Sequence, residues 1–542
     1  MRAGLVATMV LLALLPTSVA HAAPAKYRSA SLGLDGARTV VLSSTKGTVS
    51  LLNRSRGPSR LGTSELRYLY AVGSRRHRLA TVLLTVRTLC TGSRVVFARL
   101  ATPQSSIPVT VALKTKSRGY SAHDLHLVAS PINDAHVGVD RTSGPYGWIE
   151  LTTSGVTDRS VFLSKAYRFK TLKMTYRGGG TSTVKQLVWE KPLISVGRLK
   201  DGSVRIALGL SAAKDSCERF FVVTPRPIVT LEASAGVIAS ATVTQARWLD
   251  PGGAFLKGPY SIEPRTRTGY VRSLLETRGG VLRVAYGRSG APLLEDLLLN
   301  DVYTLGLLRS ADGLWRTNYT STWVKNESGI SAPYVDTRLN ECIALESPAT
   351  ADVLDARGNH SVDAIRAWTP AYGSFLTAEA AQGAVIPTLS GFYFADYYDT
   401  APLAKVHASL NHTLGEMNYL LTQCGDSSAT PMFDLAMKVK AAVDDSGTAW
   451  IAPDGDLFYQ RNLDGTFEGA DYRTLTLGDL LNSQRLFEKL IGARDPIFDQ
   501  LIDSKRTFLG LSAPAALTPL MTGQGADDPW LSAPGSRGRN LP

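Results

Sequence analysis

Cysteine is scarce in this chain, with four in 542 residues (Cys90, Cys217, Cys342 and Cys424). None stands in a C-x-x-C pair, which excludes the common zinc ribbons and dithiol redox motifs. No stretch approaches about 18 consecutive apolar residues, so no membrane-spanning helix is expected. G-x-S-x-G and H-E-x-x-H are missing, which removes the nucleophile-elbow hydrolases and the common zinc peptidases. The cluster "RGGGT" (177–181) lies between two strand-like runs with no helix after it, so it reads as a hairpin turn and not a phosphate loop. Charged residues make up only 19% against 44% hydrophobic, a balance that excludes wholesale disorder.

Several features are present instead. The first residues, "MRAGLVATMVLLALLPTSVAHAAPAKY", give an arginine, a short apolar run and Ala20-His21-Ala22. That is the pattern of a secretory signal cut after Ala22, so the mature protein is expected outside the cytoplasm. In an oxidising compartment four cysteines permit two disulfides; Cys90–Cys217 and Cys342–Cys424 are the expected pairs, against buried thiols as the alternative. The formal net charge of +13 hides an asymmetry: residues 1–300 carry 41 Lys+Arg against 17 Asp+Glu, and residues 301–510 carry 16 against 27. A basic half joined to an acidic half points to a polyanionic partner, outside the cell an acidic polysaccharide and not a nucleic acid.

Residues 24–290 read as strands. "TVVLSSTKGTVSLLN", "TVLLTVRTL", "SVRIALGLS", "RFFVVTPRPIVTLEA" and "GVIASATVTQARWL" are β-branched and alternate, with turn residues between them. From 291 to 512 the apolar spacing changes to three and four, as in "PLLEDLLLNDVYTLGLLR", "LAKVHASLNHTLGEMNYLLTQ" and "GDLLNSQRLFEKLIG". The expected architecture is an N-terminal antiparallel β-sandwich-like domain, an α/α-toroid-like helical domain, and a disordered tail over 513–542. Within "GADYRTLTLGDLLNSQRLFEKL", Thr476 and Asp479 resemble a capping box, so the helix is expected to start near Leu477, leaving Tyr472 in the incoming loop.

Three stretches carry a resemblance: "GADYRTLTLGDLLNSQRLFEKLIGARDPIFDQLIDSKRTFLG", "LTAEAAQGAVIPTLSGFYFADYYD", and, more weakly, "SGISAPYVDTRLNECIALE". Together, over about residues 330–512, they resemble the D-glucuronyl C5-epimerase family, which turns glucuronate into iduronate within polysaccharide chains. The resemblance implies Glu379, twelve residues before Gly391, and Tyr472 as the catalytic acid/base pair. It implies Tyr459 and Arg461 as substrate-binding groups; Arg473 beside Tyr472 and Tyr334 in the third stretch are assigned with them. The chain departs from the family at Ala380, where the family has Tyr, at Ser390 for Asn, and in a Tyr-x-Arg spacing for Tyr-x-x-Arg, so that Phe458 is an alternative to Tyr459.

The chemistry is consistent with those residue types. Epimerising C5 of a uronate removes a weakly acidic proton beside a carboxylate; a cation such as Arg461 stabilises the enolate, and two proton-transfer groups serve opposite ring faces. No cofactor is required; a structural calcium is compatible with the acidic loop "DDSGTAWIAPDGD". The partner is an acidic polysaccharide, with no membrane insertion, and a homodimer is compatible with the sequence. Expulsion of the C4 substituent from the same enolate makes a lyase the nearest rival. A glycoside hydrolase using two of Asp396, Asp399, Asp454, Asp456 and Asp471 is a further alternative, as is a secreted glycan binder without catalysis. His123, His126 and His136 lack a fourth ligand for a metal site.

Overall fold

The computed structural model describes residues 28–511, apart from 75–76, 103–105, 125–132, 135–137, 230–234, 357, 359–361 and 400–404. The leader, the tail, His126 and His136 therefore lie outside the described residues. The N-terminal half is antiparallel sheet. A five-stranded sheet runs Ala30–Asp35, Arg38–Ser44, Ile107–Thr115, Val204–Ala212, Ile194–Arg198 in spatial order. A thirteen-stranded sheet is built around the path from Leu249–Asp250 to Thr48–Arg56, through hairpins such as Ser64–Gly73 with Arg78–Thr88. Alternation puts one face of each sheet into a single apolar core: Val40, Val111 and Ile206 from the smaller, Val82, Leu84 and Leu100 from the larger. "RGGGT" turns between Ala166–Thr175 and Thr181–Lys191, as its composition predicts. A Cβ at Gly180 would collide with the carbonyl of Ala332, so this hairpin tip lies against the loop that leads to Tyr334.

One expected strand is a helix. "GVIASATVTQARWL" alternates β-branched residues, yet Ala235–Gln245 is helical and buries Ile238, Ala239, Ala241 and Thr242 against the helix Gly280–Ser289. Small residues allow close helix approach there, and burial outweighs the weak strand preference of Val and Thr.

Seven described helices have thirteen or more residues: α1 (Pro292–Leu308), α2 (Thr337–Ala356), α3 (Thr369–Ala381), α4 (Leu410–Gln423), α5 (Pro431–Ser446), α6 (Leu475–Ile491) and α7 (Pro496–Phe508). Helix α4 is the hub. It is buried at every residue from Leu410 to Leu421 and packs against α2, α5 and α6. A helix enclosed on all sides is stabilised where its polar groups find partners within the protein. Asn418 finds them by donating to the Asp479 carbonyl and accepting from Ser483, both on α6. Among the described residues no helix is long and apolar enough to cross a membrane.

Two short ribbons stand before the helix starts. Tyr334–Asp336 pairs with Arg316–Thr317 and Tyr397–Tyr398; Phe458–Arg461 pairs with Ala408–Ser409 and Phe467–Ala470. They lead directly into α2 and α4, so several loop side chains are delivered to one place.

The expected disulfides do not form: Cys217, Cys342 and Cys424 are thiols. The reason is placement. Cys217 points into the β core, Cys342 packs beside the α1–α2 core, and the Cys424 thiol donates to the Leu420 carbonyl in the last turn of α4.

Candidate functional site

Asp336 is the residue before α2 and caps it, its Oδ1 accepting the Leu339 amide at 2.9 Å. Asp396 follows the strand Phe392–Phe394. Its carbonyl accepts from the amide and hydroxyl of Thr337, and its Oδ1 accepts the Ser409 amide at 2.7 Å. The starts of α2 and α4 are thus stitched together through one aspartate. Its other oxygen, Oδ2, lies 3.4 Å from His407 Nε2 and 3.7 Å from His412 Nε2. His407 Nδ1 lies 2.7 Å from Glu327 Oε1, and His412 Nδ1 lies 2.8 Å from the Thr337 hydroxyl. A chain of polar contacts therefore runs Glu327, His407, Asp396, His412, Thr337.

The environments drive these groups apart. Burial pushes Asp336 up to about 7, assisted by the charge of Asp396. Burial also works against ionised Asp396, but His412, His407 and Ser409 overcome it and hold this carboxyl below its ordinary value. His407 is buried too, yet Asp396 and Glu327 raise it to about 9, so it is an imidazolium at neutrality. His412 is lowered to about 4, chiefly by burial and further by Arg338, and stays neutral. With a neutral His412, the cation that keeps Asp396 ionised at pH 7 is His407. Asp336 and Asp396 are consequently a split pair: one carboxyl poised to give or take a proton near neutrality, the other a fixed anion.

Aromatic rings surround this array. Tyr459 stands 6.1 Å from His407 and meets Tyr472 edge to face at 5.8 Å; Tyr397 lies 6.2 Å from His407, 5.8 Å from His412 and 5.6 Å from Tyr334. Trp323 stacks on His407 at 4.7 Å. Burial raises the Tyr472 phenol, and the charges of Asp336, Asp471 and Asp396 raise it further. Tyr472 is held from behind. Neighbouring Asp471 accepts from the Thr476 hydroxyl at 2.6 Å and pairs at 2.8 Å with the Lys505 ammonium of α7, which also binds Asp456.

The expected capping box is therefore not what starts α6. The helix begins at Leu475, Thr476 turns back to Asp471, and Asp479 takes a two-pronged contact from Arg338 at 2.9 and 3.0 Å. The buried Arg338 on α2 needed a counter-charge more than the helix end needed a cap. Burial pushes Asp479 up to about 7 even so.

The six sequence-predicted residues divide. Tyr472, Tyr459 and Tyr334 belong to the array. Arg473 is next to Tyr472 and exposed. Arg461 shares a strand face with Tyr459, but its guanidinium lies over the Tyr393 ring at 5.5 Å, and its Nη1 has no hydrogen-bond partner among the described residues. Glu379 ends α3 half-buried, raised by burial alone, with Oε2 lacking a hydrogen-bond partner. Its charge is felt by Tyr398, which also feels Glu416 and Asp396. Gly391 packs its backbone on α5, where a Cβ would sit 2.8 Å from the Ala442 nitrogen.

The acidic loop binds protein partners: Asp444 takes Lys440, Asp445 takes Thr388 and Ser390, and Asp456 takes Lys505. His123 stacks on Trp148 at 4.8 Å. Sequence reading missed Trp323, His407, His412 and the role of Asp336, while Asp396 stood unranked among five aspartates. His407 and His412 are five apart with a strand between them, a spacing that no helix or strand period marks.

No protein-family model matches the sequence, and no curated protein matches it. Solved structures with some likeness include a D-mannose isomerase (9% identity, TM-score 0.34, 52% of this chain and 72% of that one). Another is the cellobiose 2-epimerase from Spirochaeta thermophila DSM 6192 (18%, 0.31, 44% and 59%). A third is the unsaturated glucuronyl hydrolase from Bacillus sp. GL1 (13%, 0.27, 44% and 62%). This chain thus spans less than two thirds of the length of the last two.

Proposed function

We propose that the protein is an exported, carbohydrate-active acid–base enzyme, a C5-epimerase acting on uronic-acid residues of an acidic polysaccharide. The observation that carries this reading is the juxtaposition of the Tyr472 phenol with the split carboxyl pair Asp336 and Asp396, where α2, α4 and α6 begin. In this reading the helical half is an α/α toroid whose mouth holds the substrate.

Tyr472 serves one ring face. Asp336, titrating near neutrality, serves the other in place of the carboxylate that the resemblance assigns to Glu379. Asp396 and the His407 imidazolium fix the local field, and Arg461, whose Nη1 has no hydrogen-bond partner among the described residues, takes the substrate carboxylate. The excess of Lys and Arg in residues 1–300 supports a polyanionic substrate.

The split carboxyl pair also favours a second reading, glycoside hydrolysis with Asp336 as acid and Asp396 as anion. One experiment separates the two. Uronate polymers are incubated with the protein in D₂O and followed by NMR. Deuterium at C5 without chain cleavage supports epimerisation. An unsaturated product means a lyase, and new reducing ends without unsaturation mean a hydrolase. Any of these last results, or no change at all, removes the epimerase reading.

A further inference from the structure

Trp323 sits on the short helix Thr322–Ser328 and remains 43% exposed, although one ring face lies on the buried His407. Tryptophan is enriched at binding interfaces, where its ring face is covered and its polar edge stays wet. This one is also held. The His407 imidazolium beneath it is clamped by Glu327 and Asp396, and Tyr459 flanks it at 6.2 Å. The helix that carries it is tied to the β half: Thr320–Ser321 pairs with Ile262–Glu263, the Thr322 amide donates to the Ser261 carbonyl, and Lys325 binds Glu263 at 2.5 Å. Beside the ring stands Glu327, four residues on, with its side chain 26% exposed. Both of its bonds to His407 use Oε1, and among the described residues Oε2 has no partner, which leaves it for an outside donor.

We infer that Trp323 and Glu327 form a sugar subsite, in which a pyranose ring stacks on the open indole face and donates a hydroxyl to Glu327. A pyranose presents axial C–H groups on one face and hydroxyls at its rim. That pattern matches an aromatic plane edged by a carboxylate, and no purely apolar ligand would use Glu327. The subsite rests on the proposed function for its substrate class: the ring is one unit of the chain whose neighbour reaches Tyr472, by way of Tyr459. The β half thereby contributes to polymer binding through the Trp323 helix, which it fixes.

The test is calorimetric binding of a hexasaccharide of alternating glucuronate and N-acetylglucosamine. The Trp323→Ala protein should bind it about tenfold more weakly than the parent, as expected for loss of one aromatic contact. Trp323→Phe, which keeps a ring, should fall between, and Glu327→Gln should weaken binding less than Trp323→Ala. Thermal unfolding midpoints report whether each variant has folded. Equal affinity for the parent and a folded Trp323→Ala overturns the subsite, and so does absence of binding to the parent. Tyr472→Phe separates this inference from the catalytic one. Trp323-dependent binding in Tyr472→Phe, with no deuterium exchange in the parent, keeps the subsite and removes the epimerase.

Discussion

Tyr459 and Tyr472 meet edge to face, ring centroids 5.8 Å apart, and Tyr459 in turn stands 6.1 Å from the His407 imidazolium. One phenol thus orients the other. Tyr472→Phe keeps this ring contact and removes only the hydroxyl. C5 deuterium exchange should fall by about 10²–10⁴-fold with the unfolding midpoint nearly unchanged. Exchange that persists in the variant removes Tyr472 from the chemistry.

Asp336 and Glu379 compete for the role of second proton-transfer group, and two variants decide between them. Asp336→Asn should abolish exchange, whereas Glu379→Gln should retain most of it. The reverse ranking would return the role to Glu379. Because Asn also caps helices well, Asp336→Asn should unfold within about 1 kcal/mol of the parent.

The pH dependence of stability should carry the signature of His407. Its folded pKa, about 9, is raised above the ordinary value of 6.5. Its contribution is therefore fully present below pH 6.5 and is lost as pH rises through 9. The size of that contribution is about 3 kcal/mol. Urea unfolding at pH 6 and pH 9.5 should show the parent losing this increment relative to His407→Gln. Parallel losses in both proteins would mean that His407 is not held charged.

Lys505 is completely buried between Asp456 and Asp471. Lys505→Met leaves two carboxylates without their cation, a change that costs about 3–5 kcal/mol. The loop carrying Tyr472 should loosen with it. The variant should lose exchange activity more steeply with temperature than it loses global structure, as read by NMR and circular dichroism in parallel.

Gly391 is a packing residue in this fold. Its backbone lies against α5, with the Lys438 carbonyl and the Ala442 nitrogen in the space a Cβ would fill. Gly391→Ala should destabilise by about 1–3 kcal/mol through a forced backbone shift. A midpoint equal to the parent's would show that the two segments have room to move apart.

The long helices and the hairpins were legible because period and turn chemistry are local. Of the apolar face that the spacing predicts for α6, Leu477, Leu480 and Phe487 are buried, Leu481 and Leu490 half-buried, and Ile491 at the helix end exposed. Other features depended on distant partners. Thr476 and Asp479 have the letters of a cap, but buried Arg338 and Asp471 claim them. Ala235–Gln245 looks like a strand until the helix it packs on is known. The step from Glu379 to Gly391 is explained at its glycine end by close backbone packing. His407 gains its charge state from Asp396 and Glu327, and Asp396 gains its own from His412, His407 and Ser409, an arrangement that no single stretch of sequence displays.

The contact between the β half and the Trp323 helix has a practical side. An isolated helical fragment starting near Pro292 would keep Tyr472, Asp336 and Asp396 but lose Glu263, Ser261 and the strand edge that anchors residues 320–322. Trp323 would then be tethered at one end and free to swing off His407. Solvent would reach the imidazole, and its pKa would drift back toward that of a free histidine. Dissecting this protein into its two halves would therefore retune the charge at the helix mouth before any reacting group had been touched.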